Sequence, residues 1–119
     1  MSYDNTNIFA RILRGEIPAK KIYEDNYALA FHDLYPKAPV HALVIPKGEY
    51  MDVMDFSLNA GAAAVAGFWQ AVAKVAAEIG VADNGFRLIS NCKNNGGQEV
   101  PHFHVHLLGG QQMGKMVAE

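Results

Sequence analysis

Near the C-terminal end of the chain, Phe103, Val105 and Leu107 interleave with His102, His104 and His106. A period of two belongs to a β-strand, so the run predicts a strand over 102–106 with histidines on one face and apolar side chains on the other. Pro101 stands at its start, where a missing N–H is tolerated. Residues 20–24 and 27–32 flank Asp25-Asn26 and read as a β-hairpin. Residues 42–45 form a buried strand stopped by Pro46, and residues 86–90 form another. The period becomes helical in two places. Ile8, Phe9, Ile12 and Leu13 share one side of a short helix that Asn5 or Thr6 caps and Gly15 ends. A long helix starts at Ser57 and closes at Gly80, with Leu58, Val65, Phe68, Trp69, Val72, Val75, Ala76 and Ile79 as its apolar stripe. Pro36 and Pro39 mark one loop, and residues 91–99, with Gly96-Gly97, form another. Antiparallel strands with one major helix make the chain α+β.

The back of the long helix is small rather than charged: Ala60, Ala63, Ala64, Gly67, Ala71 and Ala77. Alanine favours helix in any setting. Small residues also let a second backbone approach, and the strip is expected to meet its copy in a homodimer, with Ala60, Ala64, Gly67 and Ala71 near the contact.

Length and composition narrow the class. The 119 residues suit one domain. No apolar run is long enough to span a bilayer, and the N-terminus lacks the shape of a signal peptide. The single cysteine, Cys92, has no internal partner, and the expected setting is the reducing cytoplasm. The net charge is −2, without a Lys/Arg block, so neither a nucleic-acid polymer nor a membrane is an expected partner. A small anion in a locally positive site remains open.

The histidine row carries the candidate chemistry. Three alternating imidazoles are rare on a purely solvated face. In a straight strand the backbones of His102 and His106 stand about 13 Å apart, so one ion cannot easily take all three. Two of them with His41 would make a zinc site. The other reading is covalent and acid–base catalysis, because a neutral imidazole attacks phosphorus and its neighbours move protons. The preceding loop, 94–98, offers backbone N–H groups to an anion. Asp33, at a strand end, suits either a turn or a sugar diol.

The motifs Ile17-Pro18-Ala19-Lys20, Ala30-Phe31-His32-Asp33, Pro39-Val40-His41, Val44-Ile45-Pro46-Lys47, Gly96-Gly97-Gln98-Glu99-Val100 and His102-Phe103-His104-Val105-His106 resemble the Hint branch of the histidine-triad (HIT) superfamily. The similarity runs from about Ile8 to Gly110. It implies a single HIT domain over 1–119, flanked by a segment 1–6 and a tail 109–119. It also implies a five-stranded antiparallel sheet with one long and one short helix, paired into a ten-stranded sheet in a homodimer. The implied activity is hydrolysis of purine nucleoside phosphoramidates, including AMP-linked amines, and of aminoacyl adenylates. It proceeds through a nucleotidyl-histidine and needs no metal or other cofactor. His104 matches the nucleophile, His102 and His106 the flanking triad members, and His41 the histidine outside the strand. Asp33 matches the ribose-binding acid. Ile8, Phe9, Phe31, His32 and Leu34 match the walls of the base pocket, and Asn91, Gln98 and Val100 the phosphate side. Glu99 stands where some relatives carry serine, and the tail lacks their tryptophan. The alternatives are a nucleotide-binding regulator and a diadenosine polyphosphate hydrolase.

Overall fold

The computed structural model describes residues 2–117; Met1 and the tail residues Ala118 and Glu119 lie outside them. Helix α1 (Ile8–Leu13) leads into strands β1 (Lys21–Glu24), β2 (Ala28–His32) and β3 (Val40–Pro46). Helices α2 (Val53–Asn59) and α3 (Ala62–Glu78) follow, then β4 (Arg87–Ile89), the single turn α4 (Lys93–Gly96) and β5 (Val105–Gly109). The five strands form one antiparallel sheet in the order β1-β2-β3-β5-β4. The Asp25 carboxylate holds the predicted hairpin by accepting the N–H groups of Tyr27 (2.7 Å) and Ala28 (2.9 Å).

Each face of the sheet has its own apolar cluster. On one, Ala28, Ala30, Ala42, Val44, Phe103, Val105 and Leu107 meet Phe56 of α2 and Phe68, Ala71, Val72 and Val75 of α3. On the other, Leu29, Phe31, Leu43 and Ile45 meet Phe9 of α1. The central strands β2 and β3 are therefore apolar on both faces and read as nearly continuous hydrophobic runs.

Four expectations change. The cap of α1 is Asn7, whose Oδ1 accepts the Ala10 N–H at 2.9 Å. The Thr6 N–H and hydroxyl turn back to Asp4 instead. The long helix is two helices. Asp52 starts α2 by accepting the Asp55 N–H at 2.8 Å, and Ala60 (ψ 146°) and Gly61 (ψ 157°) leave helical backbone before α3 begins. Gly80, at φ +78°, closes α3 as expected, because that backbone suits a residue without Cβ. The loop 91–99 contains the turn of α4.

The fourth change concerns the small-residue strip. Ala71 and Gly67 are buried within their own chain, while Leu58 and Trp69, placed on the core stripe, are 73% and 42% exposed. Gly67 packs directly on the Tyr27 ring, leaving no room for a Cβ. Gly67 thus docks α3 on the hairpin and Ala71 lies in the core, while Ala63 and Ala77 are exposed, so the strip does not form one continuous outer surface.

Candidate active site

The ladder of β5 begins at Val105, three residues later than the alternation predicts. The backbone of 102–104 is satisfied elsewhere. The Phe103 N–H donates to the Tyr50 carbonyl at 2.7 Å, and the Ser90 hydroxyl donates to the His104 carbonyl at 2.8 Å. The alternation itself persists, since Phe103 and Val105 enter the core under α2 and α3. The three imidazoles lie on the opposite side, where Phe9 meets the His104 ring edge-on at a 4.9 Å centroid separation. The His104 and His106 rings are 5.1 Å apart.

Hydrogen-bond partners fix the tautomer of each ring in its neutral form. His104 Nδ1 lies 2.7 Å from the His102 carbonyl and must donate to it, which leaves Nε2 without a proton. His41 Nδ1 accepts the Lys37 backbone N–H at 3.0 Å, so Nε2 carries the proton. That Nε2 faces His106 Nδ1 at 3.0 Å and Asp33 Oδ2 at 3.4 Å. His106 Nδ1 is then an acceptor, and the His106 proton sits on Nε2. His102 Nε2 donates to the Pro46 carbonyl at 3.0 Å, and His102 Nδ1 accepts the Tyr3 hydroxyl at 2.6 Å.

Burial favours these neutral states. It pushes His102 down to about 4. Burial, with His104 and His41 close by, pushes His106 down to about 4 as well. His104 is also lowered by burial, opposed by its bond to the His102 carbonyl and by the charges of Asp33 and Glu99. His41 is lowered by burial against the pull of Asp33. A buried imidazole resists protonation because the cation loses its hydration.

Asp33, His41 and His106 bring ligand-type atoms within 4.8 Å of one another. The tautomers oppose a metal there. His41 Nε2 is the protonated nitrogen, and freeing it for an ion would set a second N–H against that of Lys37. The donor set serves proton transfer better than metal binding.

The remaining residues named from the sequence surround this cluster unevenly. Phe9 and Phe31 are buried, with rings edge-to-face at 5.7 Å. Ile8 is 45% and Leu34 74% exposed, and His32 is exposed at the end of β2. A cleft of about 650 Å³ is lined by His32, Asp33, Leu34 and His41, among others. Asp33 Oδ1 accepts the Tyr35 N–H at 2.8 Å, so the carboxylate shapes the turn as well as facing His41. Asn91 and Val100 are half-buried on the loop before the histidines, and Glu99 is exposed. The Gln98 amide is engaged within the protein. It donates to the carbonyls of Met51 (2.7 Å) and Val100 (3.0 Å) and accepts the Lys93 N–H (2.9 Å). Sequence reasoning did not find Tyr3 or the Lys37 N–H. One lies 99 positions from its partner in a segment without a motif, and the other is a backbone group that side-chain patterns do not reveal.

Comparison with known proteins bears on the family and the fold. The HIT domain model matches residues 14–113. The chain is 52% identical over 118 residues to an uncharacterized 13.2 kDa HIT-like protein of Azospirillum brasilense, covering 99% of this chain and 97% of that one. It is 43% identical over 111 residues to the purine nucleoside phosphoramidase of Escherichia coli K12, covering 93% and 92%. A HIT family hydrolase from Clostridium thermocellum superposes with a TM-score of 0.87 at 38% identity, over 97% of this chain and 99% of that chain. The triad, the sheet that carries it and these similarities make the chain a member of the HIT family.

Proposed function

We propose that the protein hydrolyses purine nucleoside phosphoramidates, AMP-linked amines and aminoacyl adenylates among them, through a nucleotidyl-His104 intermediate. The observation that carries the proposal is the His104 ring, held by Nδ1 to the His102 carbonyl with Nε2 unprotonated. Nε2 attacks phosphorus, and the bond from phosphorus to the leaving nitrogen breaks. The bound phosphate charge opposes the desolvation that keeps the rings neutral, so a proton taken up with substrate rests on the His41–His106 pair beside Asp33. That proton passes to the leaving amine. Water then attacks the intermediate, returns a proton to the pair and releases AMP.

In this reading Asp33 binds the ribose hydroxyls, and the base lies against Ile8, Phe9, Phe31, His32 and Leu34. Asn91 and the backbone near Val100 face the phosphate. Gln98 acts by fixing that loop, and His102 by holding His104. The 43% identity to the E. coli phosphoramidase supports the substrate class.

The working form is a homodimer in the cytoplasm. Among the described residues β4 has a sheet neighbour on one side only, and Phe86, Leu88 and Ile89 on and beside it are 37–41% exposed. An apolar open edge suits pairing with the same edge of a second copy. A single unpaired cysteine suits a reducing compartment.

The test is mass spectrometry of the protein mixed with an AMP phosphoramidate. A transient mass increase of one AMP, mapped to His104 and insensitive to chelator, is expected. Binding without an adduct or turnover would leave a nucleotide-binding protein and end the enzymatic reading.

A further inference from the structure

The N-terminal segment carries a polar chain that ends on the triad and that the proposed reaction does not use. Asn7 Nδ2 donates to the Tyr3 hydroxyl oxygen at 2.9 Å, and the Tyr3 hydroxyl donates to His102 Nδ1 at 2.6 Å. His102 Nε2 donates to the Pro46 carbonyl at 3.0 Å. His102 is fully buried with both ring nitrogens occupied, so it has no free atom to offer a ligand. Its own carbonyl, however, is the acceptor that orients His104.

We infer that Tyr3 is a positioning residue for His104, acting through His102, with Asn7 holding the Tyr3 hydroxyl in the donating orientation.

The geometry leaves the hydroxyl one arrangement. Its oxygen already accepts from Asn7, and its proton faces a ring nitrogen that the Pro46 bond has made an acceptor. Burial raises the Tyr3 pKa, which keeps that proton in place. Asn7 is itself fixed three ways, since Oδ1 caps α1 through Ala10 and Nδ2 also donates to the Asp4 carbonyl at 2.7 Å. The cap of α1 and the hold on the nucleophile therefore share one side chain. Phe9, two residues further on, meets the rings of both His102 and His104 edge-on. Tyr3, Asn7 and Phe9 thus brace His102 and His104 from the N-terminal segment.

The inference rests on the phosphoramidase reading for its kinetic consequence, but not for its structural one. The experiment therefore has two arms on the full chain, comparing wild type, Tyr3→Phe and Asn7→Asp. Tyr3→Phe removes only the hydroxyl. Asn7→Asp keeps a capping oxygen but replaces the donor with a carboxylate that draws the Tyr3 proton away from His102. In the first arm, imidazole ¹⁵N spectra should move His102 Nδ1 toward the position of a free acceptor in both variants, with His104 Nδ1 shifting too. In the second, kcat on an AMP phosphoramidate should fall by about 10- to 100-fold, the scale of a displaced reacting group, with KM within about twofold. Both variants should melt cooperatively, so a merely unfolded fraction is distinguished by its lost spectrum. Unmoved His104 resonances in either folded variant overturn the inference, as does wild-type kcat in Tyr3→Phe. If wild type itself turns nothing over, the phosphoramidase reading fails and the spectra alone decide the role of Tyr3.

Discussion

His41 Nε2 lies 3.0 Å from His106 Nδ1, across a sequence separation of 65 residues. Strands β3 and β5 make the contact by pairing Leu43 with His106 and His41 with Leu108. The two rings share one proton position, and Asp33 stands beside it. In the proposed reaction the nucleophile is the neighbouring His104, whose Nε2 carries no proton while Nδ1 holds the His102 carbonyl.

Removing that nucleophile is the most direct check. His104→Ala should lose several orders of magnitude in kcat, because the covalent route goes with the ring. AMP binding, measured calorimetrically, should persist, since the proposed base and ribose contacts lie elsewhere. Near-normal turnover would refute the covalent route.

Asp33 makes a separate claim about the sugar. A hydrogen bond to a carboxylate is worth about 1.5–3 kcal/mol, so Asp33→Ala should weaken AMP by roughly ten- to a hundredfold. A 2′-deoxy nucleotide should bind less well than AMP to wild type and nearly as well as AMP to the variant. Equal discrimination by both proteins would take Asp33 off the ribose.

The buried rings give stability a pH dependence of known sign. His102 titrates near 6.5 when exposed and is pushed down to about 4 in the fold. Above 6.5 the ring is neutral in both states and the fold keeps its full stability. Between 6.5 and 4 the unfolded chain binds a proton that the native chain refuses, so stability falls as pH falls. The loss from this ring is on the order of 3 kcal/mol, and His106 adds to it with the same sign. Urea midpoints at pH 7.5 and pH 4.5 should differ accordingly, and equal midpoints would contradict the burial argument.

Gly67 separates packing within the chain from packing between chains. Gly67→Ala forces the Tyr27 ring off α3 and should cost about 1–3 kcal/mol, the usual scale of overpacking. The loss should be independent of protein concentration. If dilution deepened it, Gly67 would belong to a subunit contact after all.

The proposed dimer should depend on the open edge of β4. Sedimentation equilibrium at micromolar concentration should give twice the chain mass for wild type and a shift toward monomer for Leu88→Lys. A monomeric wild type would remove the dimer, and a dimeric Leu88→Lys would move its interface away from β4.

Particular residues explain what the sequence disclosed. The alternation over 102–107 gave the two sides of the triad segment, because Phe103, Val105 and Leu107 had to be buried together. It did not reveal that 102–104 lie outside the ladder, since a carbonyl from Tyr50 replaces the strand partner there. Asp25-Asn26 marked its hairpin through the carboxylate that holds it. The break between α2 and α3 was hidden by Ala60, a residue at home in helix, and Gly61 was the only local sign of it. The triad, His41 and Asp33 were nameable one by one. Their tautomers were not, because these come from backbone groups of Lys37, Pro46 and His102 that only the tertiary structure brings near.

The pairing of β3 with β5 also fixes when a growing chain acquires its chemistry. Residues 1–46 contain His41, Asp33 and three of the five strands, yet β3 waits for a neighbour that is synthesised about sixty residues later. Closing so long a loop precedes any reward from its contacts and slows folding relative to local pairings. The hairpin strands pair locally, whereas His104 and His106 arrive with β5 and the residues just before it. A ribosome-bound chain lacking β5 has His41 without its His106 partner, so the candidate site assembles only after that strand has paired.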